Sequence, residues 1–418
     1  MSDPSRRDFL GALTSLPLLP GLLTRPEHLA AGPQRLRIRT VTAGITVAAL
    51  PDPAVEAALA FLERSRRFFQ EAGYEVQTVR IATAPLPLVA TSEARRESLP
   101  QLRALDELVG SHGALVSIGP VGLDDTRTED LGAWVAELIG STRNLSCSVA
   151  VARPGGGENR SAEMAAAASI QELSRTTPAG LGNFRFAAAA NVPAGTPFFP
   201  VAYHEGAPAF SLGLESAGLV GEAFRSAANP AAARERLRLT LDSELTRVER
   251  LALELAARER RRYLGIDASP APGLDRSIGE AIEALTGRPF GSPSTLSACA
   301  LITDVVRSLA VKTCGYSGLM LPVLEDPTLA RRAAEGTFGV PELLLYSSVC
   351  GTGLDVVPLP GDTSVEGLSA VIGDVAALAV KWGKPLSARL LPVPGVATGG
   401  VAHFDDPRLT DSVAMGIE

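Results

Sequence analysis

Four side chains in this sequence are of types that carry out covalent or proton-transfer chemistry and fall where loops are expected: Cys350, His204, Asp267 and Asp355. Cys350 stands in Val349-Cys350-Gly351-Thr352-Gly353, where the glycines let other groups approach the backbone. A thiol there is a nucleophile only if its pKa is lowered, and otherwise packs as a small hydrophobe. His204 is one of four histidines and lies in the polar run Tyr203-His204-Glu205-Gly206. With Glu205, or with Asp355 and Asp362 folded near it, the imidazole would act as a base or hold a divalent metal. The plainer role is a packed histidine bonded to backbone. Asp267 and Asp355 flank turns, where a carboxylate also serves as a cap or turn acceptor.

Around these lie polar residues suited to holding a small polar ligand: Arg39, Thr42, Asn191, Ser269, Ser317 and Asp362. They fall in five glycine-bearing segments, 39–44, 191–206, 267–279, 314–326 and 349–363. Chemistry in α/β folds gathers in such segments at strand ends. Ser269 and Ser317 lack the elbow of a serine hydrolase, and no dinucleotide or P-loop fingerprint follows a strand. Arg153-Pro154-Gly155-Gly156-Gly157 is only a glycine-rich turn.

Composition narrows the classes. A net charge of −7 and an aromatic content of 5% offer neither a phosphate-binding face nor base-stacking platforms, so nucleic acid is excluded as a partner. The four cysteines, Cys147, Cys299, Cys314 and Cys350, contain no C-x-x-C pair, which excludes zinc ribbons and thioredoxin-type sites. Disulfides and free thiols both remain open. Hydrophobic residues at 46% are enough for a large core.

The N-terminus reads as an address. Ser5-Arg6-Arg7-Asp8-Phe9-Leu10 leads into an apolar run to Leu23, broken by Pro17 and Pro20. This order predicts a twin-arginine signal over residues 1–31, a periplasmic or extracellular destination and the twin-arginine translocase as transient partner. The run is too short for a comfortable membrane span. Leu29-Ala30-Ala31 is a poor cleavage site, which leaves retention by an uncleaved signal open.

The elements that must position these residues alternate. Strands are expected at Arg37 to Leu50, Val76 to Ile81, Ala114 to Ile118, Ser146 to Ala152, Phe184 to Asn191, Leu319 to Val323, Leu354 to Pro358 and Ser387 to Leu391. Helices are expected at Pro53 to Ala72, Leu102 to Val109, Leu131 to Ile139, Ser161 to Leu173 and Ala231 to Tyr263, and near 276–286, 294–311, 327–335 and 364–381. Alternation of this kind predicts parallel strands with helical crossovers. No linker divides the chain, so residues 32–418 are expected to form one α/β domain.

These segments, in their order, resemble the family called domain of unknown function 711. The matching runs are Arg39-Thr40-Val41-Thr42-Ala43-Gly44-Ile45, Asn191 with the His204 segment, Asp267-Ala268-Ser269-Pro270-Ala271-Pro272, Gly315-Tyr316-Ser317-Gly318 with Glu325-Asp326, and Cys350-Gly351-Thr352-Gly353-Leu354-Asp355. The resemblance spans Arg37 to about Pro392. Glu205, the export signal and the tail from Gly395 depart from it. It implies a pyruvate formate-lyase-like α/β barrel of two parallel five-stranded halves set antiparallel to each other. By that likeness Cys350 would occupy the barrel centre. Glycyl radical chemistry is disfavoured, because Thr313-Cys314-Gly315-Tyr316 lies far from the C-terminus and an exported protein meets oxygen. The expectation is an exported enzyme using Cys350, His204, Asp267 and Asp355 on a small polar metabolite. A non-catalytic small-molecule or metal binder is the alternative, and homo-oligomerisation stays open.

Overall fold

In the computed structural model, residues 36–122 and 130–417 are described. The segment expected to direct export, residues 1–31, lies outside them. The first half alternates as expected. Strands β1 (Arg37–Ile45), β2 (Val76–Thr83), β3 (Leu115–Pro120), β4 (Leu145–Ala152) and β5 (Phe186–Ala190) are joined by helices α1 (Pro53–Glu71), α2 (Ser92–Ser111), α3 (Leu131–Ser141) and α4 (Arg160–Thr176). Helix α1 shows why the pattern was readable. Asp52 caps its start by accepting from Ala54 N at 2.8 Å, and Val55, Leu59, Leu62 and Phe69 are buried along one face.

The second half holds β6 (Ala209–Glu215), α5 (Ala217–Arg225), α6 (Pro230–Glu259) and β7 (Arg262–Ala271). Then follow α7 (Ile278–Thr286), α8 (Thr295–Arg307), α9 (Pro327–Ala334), α10 (Val340–Ser347), β8 (Gly353–Pro360), α11 (Val365–Trp382) and β9 (Leu386–Val393). Two expectations change here. Helix α6 stops four residues before Tyr263, at a left-handed Arg260, and the chain turns into β7, where Tyr263 packs on Phe210. The segment 267–272, expected as a loop, therefore begins inside a strand. Helix α2 also starts ten residues earlier than its apolar face suggested and carries Pro100 within it.

The strand order is β7-β6-β1-β2-β3-β4-β5-β9-β8. Strands β1 to β5 are mutually parallel, as are β6 with β7 and β8 with β9. The joins β1–β6 and β5–β9 are antiparallel. Residues 313–322 connect the two open edges: Thr313 bridges Ile266 of β7 and Pro322 bridges Asp355 of β8, both in parallel sense. That stretch was expected to be strand-like at Leu319 to Val323; it makes only these single bridges. It nevertheless acts as the fifth member of the second half. The fold is thus an α/β barrel of two parallel halves running in opposite directions.

Opposed halves have a consequence for placement. Each end of the barrel gathers the N-terminal ends of one half and the C-terminal ends of the other. Residues that open β1 and β2 therefore meet residues that close β6 and β7.

Candidate functional site

A pocket of about 480 Å³ lies at the end where β1, β2 and β3 begin and β6 and β7 finish. Five arginines line it: Arg37 and Arg39 from β1, Arg80 from β2, Arg389 from β9 and Arg408 from the C-terminal segment. Phe184, Phe198 and Phe199 supply the aromatic wall.

Three of the guanidiniums lie on those rings. Arg389 is held between Phe184 and Phe198, at 4.7 and 5.5 Å from the ring centres. Arg408 covers Phe184 at 4.6 Å, and Arg80 faces Phe199 at 5.3 Å. Ion pairs fix most of the set. Arg389 donates from Nε to Asp355 Oδ1 at 2.7 Å and from Nη2 to Glu325 Oε2 at 3.5 Å. Arg39 donates to Glu325 Oε1 at 3.1 Å and to the Pro272 carbonyl at 2.8 Å. Arg408 holds Asp406 through two bonds. Arg37 answers Glu215 at 2.7 Å and Asp275 at 2.9 Å, and these partners raise its pKa further.

Arg80 differs. It donates to the Pro197 carbonyl at 3.2 Å, and its buried Nε has no partner. Among the described residues no carboxylate pairs with it. Burial, with the neighbouring Arg39, Arg389 and Arg408 charges and against the pull of Glu325, pushes it down to about 9, so it keeps its proton at neutral pH.

Asp267 lines the pocket, yet its oxygens are occupied. Oδ1 accepts from Ser269 N and Oγ and from Ser317 N, at 3.1, 2.6 and 3.1 Å, and Oδ2 accepts from Tyr316 N at 3.1 Å. Burial pushes this carboxyl up, against those bonds. The carboxylate pegs the 313–318 loop to β7. Gly315 is obligatory there, since a Cβ would lie 2.4 Å from Asp267 Oδ2. Ser269 joins the peg by accepting from Gly318 N at 3.2 Å, and Ser317 takes a left-handed conformation. Asp355 is fully buried behind Arg389; burial raises its pKa and its Oδ2 has no partner.

The other sequence candidates lie elsewhere. Thr42 is buried against Thr40, with the two hydroxyl oxygens 3.2 Å apart. Asn191, left-handed at the end of β5, donates to Ala379 O at 2.8 Å. Asp362 is exposed in the turn after β8. His204 packs against Gly44, where a Cβ would lie 2.3 Å from Nδ1. Its Nε2 lies 2.9 Å from Ala207 O, and burial lowers its pKa. Cys350 is fully buried in the apolar core, with its carbonyl accepting from Lys384 Nζ at 2.6 Å. Neither Cys350 nor His204 lines the pocket. All four cysteines are free thiols. Among the described residues no three His, Cys, Asp or Glu side chains converge as a metal would require, and no helix is long and apolar enough to cross a membrane.

Sequence reasoning passed over Arg37, Arg80, Arg389 and Arg408. A signal for Arg80 and Arg389 existed: each is the lone charge of a strand whose other residues are buried or half-buried, VQTVRIAT and LSARLLPV.

Fold and pocket together define a two-half α/β barrel with an arginine-lined cavity where the halves oppose. The chain belongs to the family described as Uncharacterised ACR (DUF711), whose model matches residues 32–405. It is 31% identical over 403 residues to a UPF0210 protein of Pyrobaculum islandicum, covering 88% of this chain and 87% of that one. It is 30% identical over 407 residues to a UPF0210 protein of Desulforudis audaxviator, with 89% and 88% covered. A UPF0210 protein of Methanopyrus kandleri is 31% identical over 408 residues, with 88% of each covered.

These findings correct the expected function. The relatives, archaeal and bacterial, carry names that give no enzyme activity, and the comparisons show no export feature. The thiol of Cys350 is fully buried and does not line the pocket. An exported enzyme working through Cys350 with His204 is therefore not carried forward.

Proposed function

We propose that the arginine-lined pocket is a receptor for a small organic anion, with Arg80 as the group that meets its charge. What supports this reading is the unanswered guanidinium. A cation buried among three others, bonded to one carbonyl and to no carboxylate, is costly to hold. It becomes favourable once an anion enters. At about 4 Å and an effective dielectric near 20, such a pair gains about 4 kcal/mol. Arg39, Arg389 and Arg408 are locked by Glu325, Asp355 and Asp406, so they shape the site with little freedom to reorganise.

The test is titration calorimetry on the full chain with phenylacetate, acetate and inorganic phosphate. At least one is expected to bind with Kd below ~1 mM, and Arg80→Gln to weaken it by at least about 50-fold. Cys350→Ala is expected to leave that affinity unchanged. Failure of all three anions to bind below ~10 mM, or equal binding by Arg80→Gln, overturns the proposal.

A further inference from the structure

Charge balance, the state of the polar groups and the character of the walls together narrow the ligand; this step rests on the anion-receptor reading above. Four guanidiniums, Arg39, Arg80, Arg389 and Arg408, cluster on the side of the pocket that carries Arg80. Three carboxylates are bonded to them: Glu325, Asp355 and Asp406. The surplus is one positive charge. Elsewhere in the lining Arg37 faces two carboxylates, Glu215 and Asp275, and Asp267 is held by four neutral donors, so the positive surplus is local to the Arg80 side. One surplus charge suits a monoanion better than a dianion.

The uncharged polar side chains of the lining are already engaged with the protein. Thr40 pairs with Thr42, Thr78 donates to the Arg39 carbonyl at 2.6 Å, Gln77 donates to Glu215 at 2.7 Å, and Ser269 donates to Asp267 at 2.6 Å. A sugar or polyol would find few free partners and would lose its own hydration. The remaining surface is apolar, with Leu115, Phe184, Phe198, Phe199, Leu274 and Met320 facing a cavity of about 480 Å³.

We infer that the pocket takes a monocarboxylate with an apolar, unhydroxylated body, of the aryl or branched-alkyl class. The carboxylate meets Arg80, and the hydrocarbon packs on the phenylalanine wall.

Calorimetry with matched probes separates the elements of this inference. Phenylacetate and acetate share a charge and differ in body; gluconate keeps the charge and makes the body polar; phenyl phosphate keeps the ring and carries a second charge. Phenylacetate is expected to bind at least about tenfold tighter than acetate, from the apolar area it buries. It is also expected to bind at least about tenfold tighter than gluconate and phenyl phosphate. Glu325→Gln adds one positive charge with little change of shape and is expected to shift the ratio toward phenyl phosphate by about tenfold or more. Asp406→Asn makes the same change at Arg408 and serves if Glu325→Gln does not fold. Arg80-dependent binding that favours phenyl phosphate, gluconate or acetate, or an unmoved ratio in the folded charge variant, overturns the inference and leaves the receptor reading intact. Absence of any Arg80-dependent binding sinks the receptor reading itself.

Discussion

A buried cation with no carboxylate bonded to it should destabilise the ligand-free protein, and Arg80→Met measures by how much. Burial and its neighbours bring this guanidinium well below its ordinary value, down to about 9, which corresponds to roughly 4–5 kcal/mol of disfavoured charge. Two contacts act the other way: the Phe199 ring at 5.3 Å and the Pro197 carbonyl at 3.2 Å, together about 2–3 kcal/mol. Methionine fills a similar volume, needs no partner and packs well against an aromatic ring. The ligand-free variant is therefore expected to be more stable by about 1–3 kcal/mol. At about 2.1 cal/mol/K per residue over roughly 380 residues, that is a rise in Tm of about 1–4 °C. The assay is thermal unfolding of wild type and Arg80→Met, each with and without saturating phenylacetate. Wild type should gain Tm with the anion, and the variant should gain none. A variant that loses several degrees and still responds to the anion would show that Arg80 is satisfied by the fold, which refutes the reasoning.

Three further outcomes follow from groups outside the pocket. Asp326 caps two helices at once, accepting from Ser277 Oγ, Ile278 N and Gly279 N at 2.6, 2.6 and 3.2 Å and from Thr328 N and Leu329 N at 3.0 and 3.1 Å. Asp326→Ala is expected to cost about 2–4 kcal/mol in urea unfolding, with Asp326→Asn milder; a loss under ~1 kcal/mol contradicts the double cap. His204 is held neutral by burial, so below its unfolded value of 6.5 the unfolded chain binds the extra proton and stability drops as pH falls. The raised carboxyls of Asp267, Asp326 and Asp355 act in the opposite sense, losing stability as pH rises through their folded values. The difference between wild type and His204→Gln cancels them. It should slope by up to ~1.4 kcal/mol per pH unit below 6.5, and a flat difference contradicts a buried neutral imidazole. Cys350→Ala should cost about 1–2 kcal/mol of stability, as for any small buried apolar group, and a neutral result would mean the thiol is not packed.

The architecture was legible because it repeats a strong pattern. The apolar stripe of α1 and the mostly apolar runs of β8 and β9, each interrupted by one charge, made these elements readable, and the family resemblance supplied the opposed halves. The site was less legible for two physical reasons. Reactive residue types drew attention to Cys350 and His204, yet a free thiol is among the most easily buried side chains, and glycine beside a histidine proved to be room for packing. The arginines that do face the cavity lie far apart in sequence, at 37 and 39, 80, 389 and 408, within or after segments that read as ordinary core. Their convergence follows from topology. Only because β9 runs against β1 and β2 do Arg39 and Arg80 share a cavity with Arg389, and the chain beyond β9 brings Arg408 to the same end. A charge alone in a buried strand is therefore the feature to weigh in this fold. Arg80 and Arg389 both show it: an arginine kept in such a strand must find its counter-charge close by, as Arg389 does in Asp355 on the neighbouring strand, or else wait for one to arrive.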